Sequence, residues 1–91
     1  MQPSVYILAS KRNGTLYIGV TSNLSHRISQ HRENQVSGFS NKYRTHILVW
    51  YQFYETMLAA IEAEKKLKKW DREWKVQLIE KANPYWQDLE I

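Results

Sequence analysis

Residues 4–20 read SVYILASKRNGTLYIGV, and the fold of the whole chain can be built outward from them. The run at 4–10 is rich in β-formers. KRNGT follows it, and Asn13-Gly14 is a strong turn signal because both residues tolerate the positive φ of a hairpin turn. TLYIGV at 15–20 supplies a second short strand, so the first twenty residues predict a β-hairpin. Side chains alternate along a strand, which puts Tyr6 on one face with Leu8 and Tyr17 on one face with Gly19. Gly19 brings no side chain, which marks a bulge or a close approach by another group.

Beyond the hairpin, TSNLSHRISQHREN at 21–34 predicts a helix with Thr21, Ser22 or Asn23 as its cap. Leu24 and Ile28, four apart, give it an apolar anchor, while Arg27 and His31, also four apart, stand one above the other on a neighbouring strip. QVSGFSNKYRT at 35–45 has no clear period and predicts a loop. It mixes Phe39 and Tyr43 with Lys42 and Arg44, a composition that suits either a nucleic-acid contact or a loop closed by its own aromatics. HILVWYQFY at 46–54 is apolar enough to predict the central strand of a sheet. Thr56 can cap a helix through MLAAIEAEKKLKKWDREW, with a break near 71–73. A last helix, EWKVQLIEKA at 73–82, ends at Asn83-Pro84. Tyr85, Trp86 and Leu89 are expected to fold back as a hydrophobic clasp. The order β-β-α-β-α-α makes this an α+β chain, a small three-stranded, mostly antiparallel sheet flanked by helices that close its core. A single domain is expected over 1–91, with its core at about 4–82 and the tail 83–91 packing back.

Composition narrows the chemistry. Ninety-one residues, 43% hydrophobic and 24% charged, describe one small globule rather than a disordered tail. A chain of this length buries only ~60–65% of its extended surface, too little for two cores. The lack of cysteine removes disulfides, thiol catalysis and every cysteine zinc motif. His26, His31 and His46 have no zinc-binding spacing. No stretch approaches the ~20 apolar residues of a membrane span, and the amino terminus has no signal-peptide pattern, so a cytoplasmic location without membrane contact is expected. The net charge of +4 is unevenly placed. Residues 1–53 carry six basic side chains against Glu33 alone, and residues 54–91 carry seven basic against eight acidic. The first half is the one that would face a polyanion.

Among residues able to do chemistry, Glu64 is the most informative. Its helical neighbours are Met57, Ala60, Ile61, Leu67 and Lys68, so a carboxylate interrupts an otherwise apolar face. Burying it costs several kcal/mol unless a metal or a cation compensates. The alternatives are a functional carboxylate and an edge residue paired with Lys68. Glu62 lies on the far side of the helix, facing solvent. Arg27 can clamp a phosphate oxygen and His31 can donate to phosphate or carry a proton, or both can be ordinary surface residues, as His26 is expected to be. The EKKLKKW run reads either as a solvated lysine face or as phosphate contacts. Tyr6 and Tyr17 read as sheet packing; a tyrosine hydroxyl accepts a proton only if a cation or metal lowers its pKa from near 10.

These residues together resemble the GIY-YIG nuclease signature. SVY at 4–6 and YIG at 17–19, ten residues apart, correspond to its two strands, followed by Arg27, by His31, and by Glu64 in AAIEAEKKL. The resemblance spans about 4–82 and is nearest to the small bacterial, single-domain GIY-YIG proteins of uncharacterised function. Ser4 stands where the signature has its first glycine, and Val5 where it has isoleucine. The resemblance implies a metal-dependent endonuclease that hydrolyses DNA phosphodiester bonds, in repair or recombination. Glu64 would hold one Mg2+ or Mn2+, weakly without substrate, as its sole protein ligand. Arg27 would stabilise the transferring phosphoryl group. Tyr6 would help deprotonate the attacking water, Tyr17 would support water or phosphate, and His31 would relay a proton or contact phosphate. Arg27, Lys42 and Arg44 are the expected nucleic-acid contacts, and a protein partner is a possible source of substrate recognition. The alternatives are a catalytically weak or inactive nucleic-acid-binding module and a small protein-interaction scaffold.

Overall fold

The structure is a computed structural model that describes residues 2–33 and 44–91. The predicted loop at 35–45, including Lys42, Phe39 and Tyr43, lies outside the described residues except for Arg44 and Thr45. Among the described residues the order is β1 (Ser4–Ala9), β2 (Leu16–Thr21), α1 (Leu24–Arg32), β3 (Ile47–Phe53), α2 (Met57–Lys69) and α3 (Arg72–Ala82). The predicted α+β architecture, a three-stranded sheet flanked by helices, is the one observed.

β1 and β2 form the expected hairpin, in antiparallel register with Tyr6 opposite Gly19 and Ile7 opposite Ile18. Asn13 adopts φ 58, as the Asn-Gly signal requires. The Arg72 guanidinium donates to the Asn13 and Gly14 carbonyls at 2.9 and 2.6 Å, tying this turn to α3. Ser4 lies in the strand without a positive φ, so a glycine-only conformation is not used there.

The strand order β2-β1-β3 corrects one expectation, because the central strand is β1 and β3 lies at an edge. Apolar content reports that both faces of a strand are covered and says nothing of its two edges. β1 is buried throughout, whereas Gln52 and Phe53 at the end of β3 are exposed. The tail covers part of the outer edge of β3. The Leu89 N–H donates to the Leu48 carbonyl at 2.8 Å, and the Leu48 N–H donates to Asp88 at 3.0 Å. Asn83, also buried, donates from Nδ2 to the carbonyls of Val49 (3.1 Å) and Gln87 (2.8 Å), while its Oδ1 accepts from the Gln87 N–H (3.0 Å).

Two apolar layers lie on either side of the sheet. Val5, Ile7, Ala9 and Ile18 pack with Ala60 and Leu67 of α2, Ile79 of α3 and Trp86. Tyr6 and Leu8 face the other way, onto Leu24 and Ile28 of α1, with Leu48 and Leu89 beside them. Alternation along β1 thus assigns α1 and α2 to opposite faces of the sheet. Trp86 and Leu89 pack back as expected. Tyr85 does not: it stands 72% exposed, just beyond the sharp turn that begins at Pro84.

The helix caps follow from short polar side chains. Asn23 accepts from the His26 N–H and Thr56 from the Ala59 N–H. The break between the last two helices comes at Trp70 and Asp71, overlapping the predicted 71–73, because Trp70 is already extended and Asp71 occupies the N-cap of α3. Among the described residues no helix is long and apolar enough to cross a membrane.

Asn83→Ala should show how much the tail clasp contributes. It leaves the buried Val49 carbonyl without this donor and removes three hydrogen bonds, so urea unfolding should report a loss of about 2 kcal/mol and thermal unfolding a fall of about 10 °C.

Candidate active site

The site begins at the absent side chain of Gly19. Tyr6 crosses this position from the neighbouring strand, and a Cβ on Gly19 would collide with its ring and hydroxyl. The close approach expected at Gly19 is therefore the Tyr6 side chain. It sends a fully buried tyrosine across β2 toward α1.

There the Tyr6 hydroxyl shares a hydrogen bond of 3.3 Å with Nε2 of His31. Tyr17 completes the aromatic group, its ring centroid 6.3 Å from that of Tyr6 and 5.4 Å from that of His31. Arg27, one turn before His31 on α1, acts on the Tyr6 hydroxyl by charge and hydrogen bonding. The i, i+4 spacing read from the sequence is what puts its guanidinium and the imidazole on one strip.

Burial controls the protonation of this group. It pushes the Tyr6 hydroxyl well above its ordinary pKa, with Tyr17 adding to the effect and Arg27 opposing it. His31 is lowered from 6.5 to about 4, first by burial and then by the electrostatic influence of Arg27 and, less, of His46. At neutral pH the cluster therefore holds a phenol, a neutral imidazole and a guanidinium. It can grip an anion through Arg27, while the Tyr6 hydroxyl and His31 Nε2 hold each other in place through their hydrogen bond.

Glu64 is mounted on the other layer. Its side chain is only 12% exposed and forms an ion pair of 2.7 Å with Lys68, four residues on. β2 lies at an edge of the sheet. A groove of about 320 Å³ there is lined by Leu16, Tyr17 and Ile18 of β2, Lys68 of α2 and Lys75 of α3. Tyr17 belongs both to the aromatic group and to this groove, while Glu64 adjoins the groove through Lys68.

Among the described residues no three His, Cys, Asp or Glu side chains converge as a metal site. A single carboxylate oxygen suits a hard divalent cation, so Glu64 has the right donor chemistry, and one of its two oxygens, Oε2, is held by the Lys68 ammonium. Glu62 and His26 are exposed, as expected. Arg44 is exposed, with φ 54. Lys75 was not singled out from the sequence. It follows Lys68 by seven residues across a helix break, and its Nζ donates to the Lys68 carbonyl at 3.3 Å. A spacing that spans two helices gives no periodic signal.

The depressed pKa of His31 has a consequence for stability. Between about pH 6.5 and 4 the unfolded chain takes up a proton that the folded chain refuses, so stability present above pH 6.5 falls as pH drops through that window. Urea midpoints at pH 7 and 4.5 should fall more for the wild type than for His31→Gln, in which this uptake is gone.

Comparison with known proteins agrees with the geometry. The family model described as the GIY-YIG catalytic domain matches residues 2–77. A UPF0213 protein of Staphylococcus haemolyticus is 30% identical over 76 residues, covering 84% of this chain and 92% of the relative. A UPF0213 protein of Staphylococcus aureus is 31% identical over 75 residues, covering 82% and 90%. Among solved structures, the solution NMR structure of a UPF0213 protein from Bacillus halodurans is similar, with a TM-score of 0.54 and 25% identity over 91% of this chain and 87% of that one. The tyrosines on paired strands, the helix that carries Arg27 and His31, and a match over nearly the whole length have one common explanation: the chain belongs to the GIY-YIG family.

Proposed function

We propose that this chain is a nucleic-acid-binding module built on a nuclease fold, with weak phosphodiester-cleaving chemistry. The observation that carries this reading is the state of Glu64, whose carboxylate is already neutralised by Lys68 at 2.7 Å in a largely covered position. Tyr6, held as a neutral phenol by burial, is a poor base for activating water. Binding does not depend on either group. Arg27 beside the Tyr17 edge can take a phosphate oxygen, and Lys68 and Lys75 line the adjoining groove.

A second reading, a metal-dependent DNA endonuclease of repair or recombination, is favoured by the gathering of Tyr6, Tyr17, Arg27 and His31 around one point. In that reading Glu64 would hold Mg2+ or Mn2+ once Lys68 moved aside, and the ion would supply Lewis acidity for a phosphate oxygen. The residues of the chain would do the rest. Arg27 would orient the phosphate and offset its developing charge, and neutral His31 would hold the Tyr6 hydroxyl in place through their hydrogen bond. Sequence preference, DNA against RNA, and any protein partner belong to the same set of proposals.

Titration of labelled duplex, nicked, flap and single-stranded DNA at several salt concentrations tests the binding reading. Affinity should fall as salt rises, and Arg27→Ala should weaken it about tenfold and lower the salt slope by about one. Magnesium- or manganese-dependent nicking that Glu64→Gln abolishes would establish the endonuclease reading instead. Absence of binding to every DNA at low salt would leave a protein-interaction scaffold.

Lys68→Ala should tighten manganese binding about two- to fivefold in paramagnetic resonance titrations, because it removes one exposed i, i+4 ion pair. Glu64→Gln should abolish the same signal.

A further inference from the structure

The corner between α2 and α3 carries two tryptophans that stand largely in solvent. Trp70 is 43% exposed and Trp74 is 61% exposed. Their ring centroids are 6.2 Å apart and their planes meet at 68°, so the edge of one indole abuts the face of the other. The angle between them opens a groove of about 340 Å³ lined by Lys69, Trp70, Asp71 and Trp74, at the small end of the ~300–1,000 Å³ of small-molecule sites.

Two features of this corner favour a nucleic acid as its occupant. The first is charge: the stretch 65–75, KKLKKWDREWK, holds six basic side chains against Asp71 and Glu73. The second is continuity with the groove at the β2 edge. Lys69 lines the tryptophan groove while Lys68 lines the β2-edge groove, and Trp74 and Lys75 divide between the two in the same way. Adjacent residues thus place the grooves on neighbouring sides of one corner. A strand held by Lys68 and Lys75 beside Tyr17 can continue around it to the indoles.

The walls of the groove also select what enters. Asp71 repels a phosphate and can accept a hydrogen bond from a base amino group. The indole faces offer stacking, which every base supports but which a base within a duplex already gives to its neighbours. We propose that Trp70 and Trp74 form a stacking site for an unpaired base, so that this chain engages nucleic acids with a single-stranded segment next to the β2-edge groove. The proposal rests on the nucleic-acid-binding reading above and names the substrate class within it.

Trp74 is the residue to vary, since Trp70 also lines an apolar groove with Val5, Trp50 and Leu67 and contributes to packing. Fluorescence anisotropy of the full chain would be measured with a labelled single-stranded dodecamer and with a duplex of the same length, with circular dichroism to confirm folding. Trp74→Ala should weaken single-strand binding about tenfold and duplex binding less than twofold, and Trp74→Phe should recover part of the loss. Equal single-strand affinity in wild type and Trp74→Ala would overturn the proposal and leave the binding reading intact, as would equal losses on both nucleic acids. Failure of the wild type to bind either nucleic acid at low salt would overturn the binding reading and the proposal with it. A dimer in sedimentation that Trp74→Ala dissociates, with oligonucleotide affinity unchanged, would assign the corner to a second copy of the chain.

Discussion

The packing of Tyr6 across Gly19 is the constraint around which the molecule is organised. Tyr6 sits on the central strand, fully buried, and reaches α1 over the one position of β2 that has no side chain. Because the two residues are opposite each other in the register, a slip of β2 by one residue would bring a β-branched side chain, Ile18 or Val20, against that ring. The same alternation that turns Tyr6 and Leu8 toward α1 turns Val5, Ile7 and Ala9 toward α2. One strand thereby sets both layers.

The candidate site follows from that division. Tyr6, His31 and Arg27 stand on the α1 side, where burial keeps Tyr6 and His31 neutral. The carboxylate and its lysine stand on the α2 side, and β2, an edge strand, borders a groove shared by Tyr17 and Lys68. Tyr17, on that edge strand, belongs to both. The Lys68 ammonium, paired with Glu64, lines the groove at that edge.

Much of this was legible in the sequence, for local reasons. The Asn-Gly turn, the Asn23 and Thr56 caps, the stop at Asn83-Pro84 and the spacing of Arg27 and His31 depend on bonds within a few residues. Glu64 stood out because helical periodicity alone shows a carboxylate in an apolar stripe, and its pairing with Lys68 was among the alternatives at i+4. The order of the strands was not legible. β3 is as apolar as a central strand because helices and tail cover it, and nothing in its composition distinguishes a neighbouring strand from a tail that supplies Asp88, Leu89 and Asn83. Lys75 and the Trp70–Trp74 corner were hidden for a related reason, since a helix break resets the angular relation between residues on either side of it.

The sequence by itself determined the elements, their order, the hairpin and the family pattern, because each rests on short-range geometry or on spacing that survives as a motif. Only the tertiary structure decided which strand is central, that Glu64 stands on the opposite layer from Tyr6 and His31, and that Lys68 and Lys75 share a groove with Tyr17. These relations join residues dozens of positions apart. They are set by how two apolar layers close on one sheet, which no local pattern encodes.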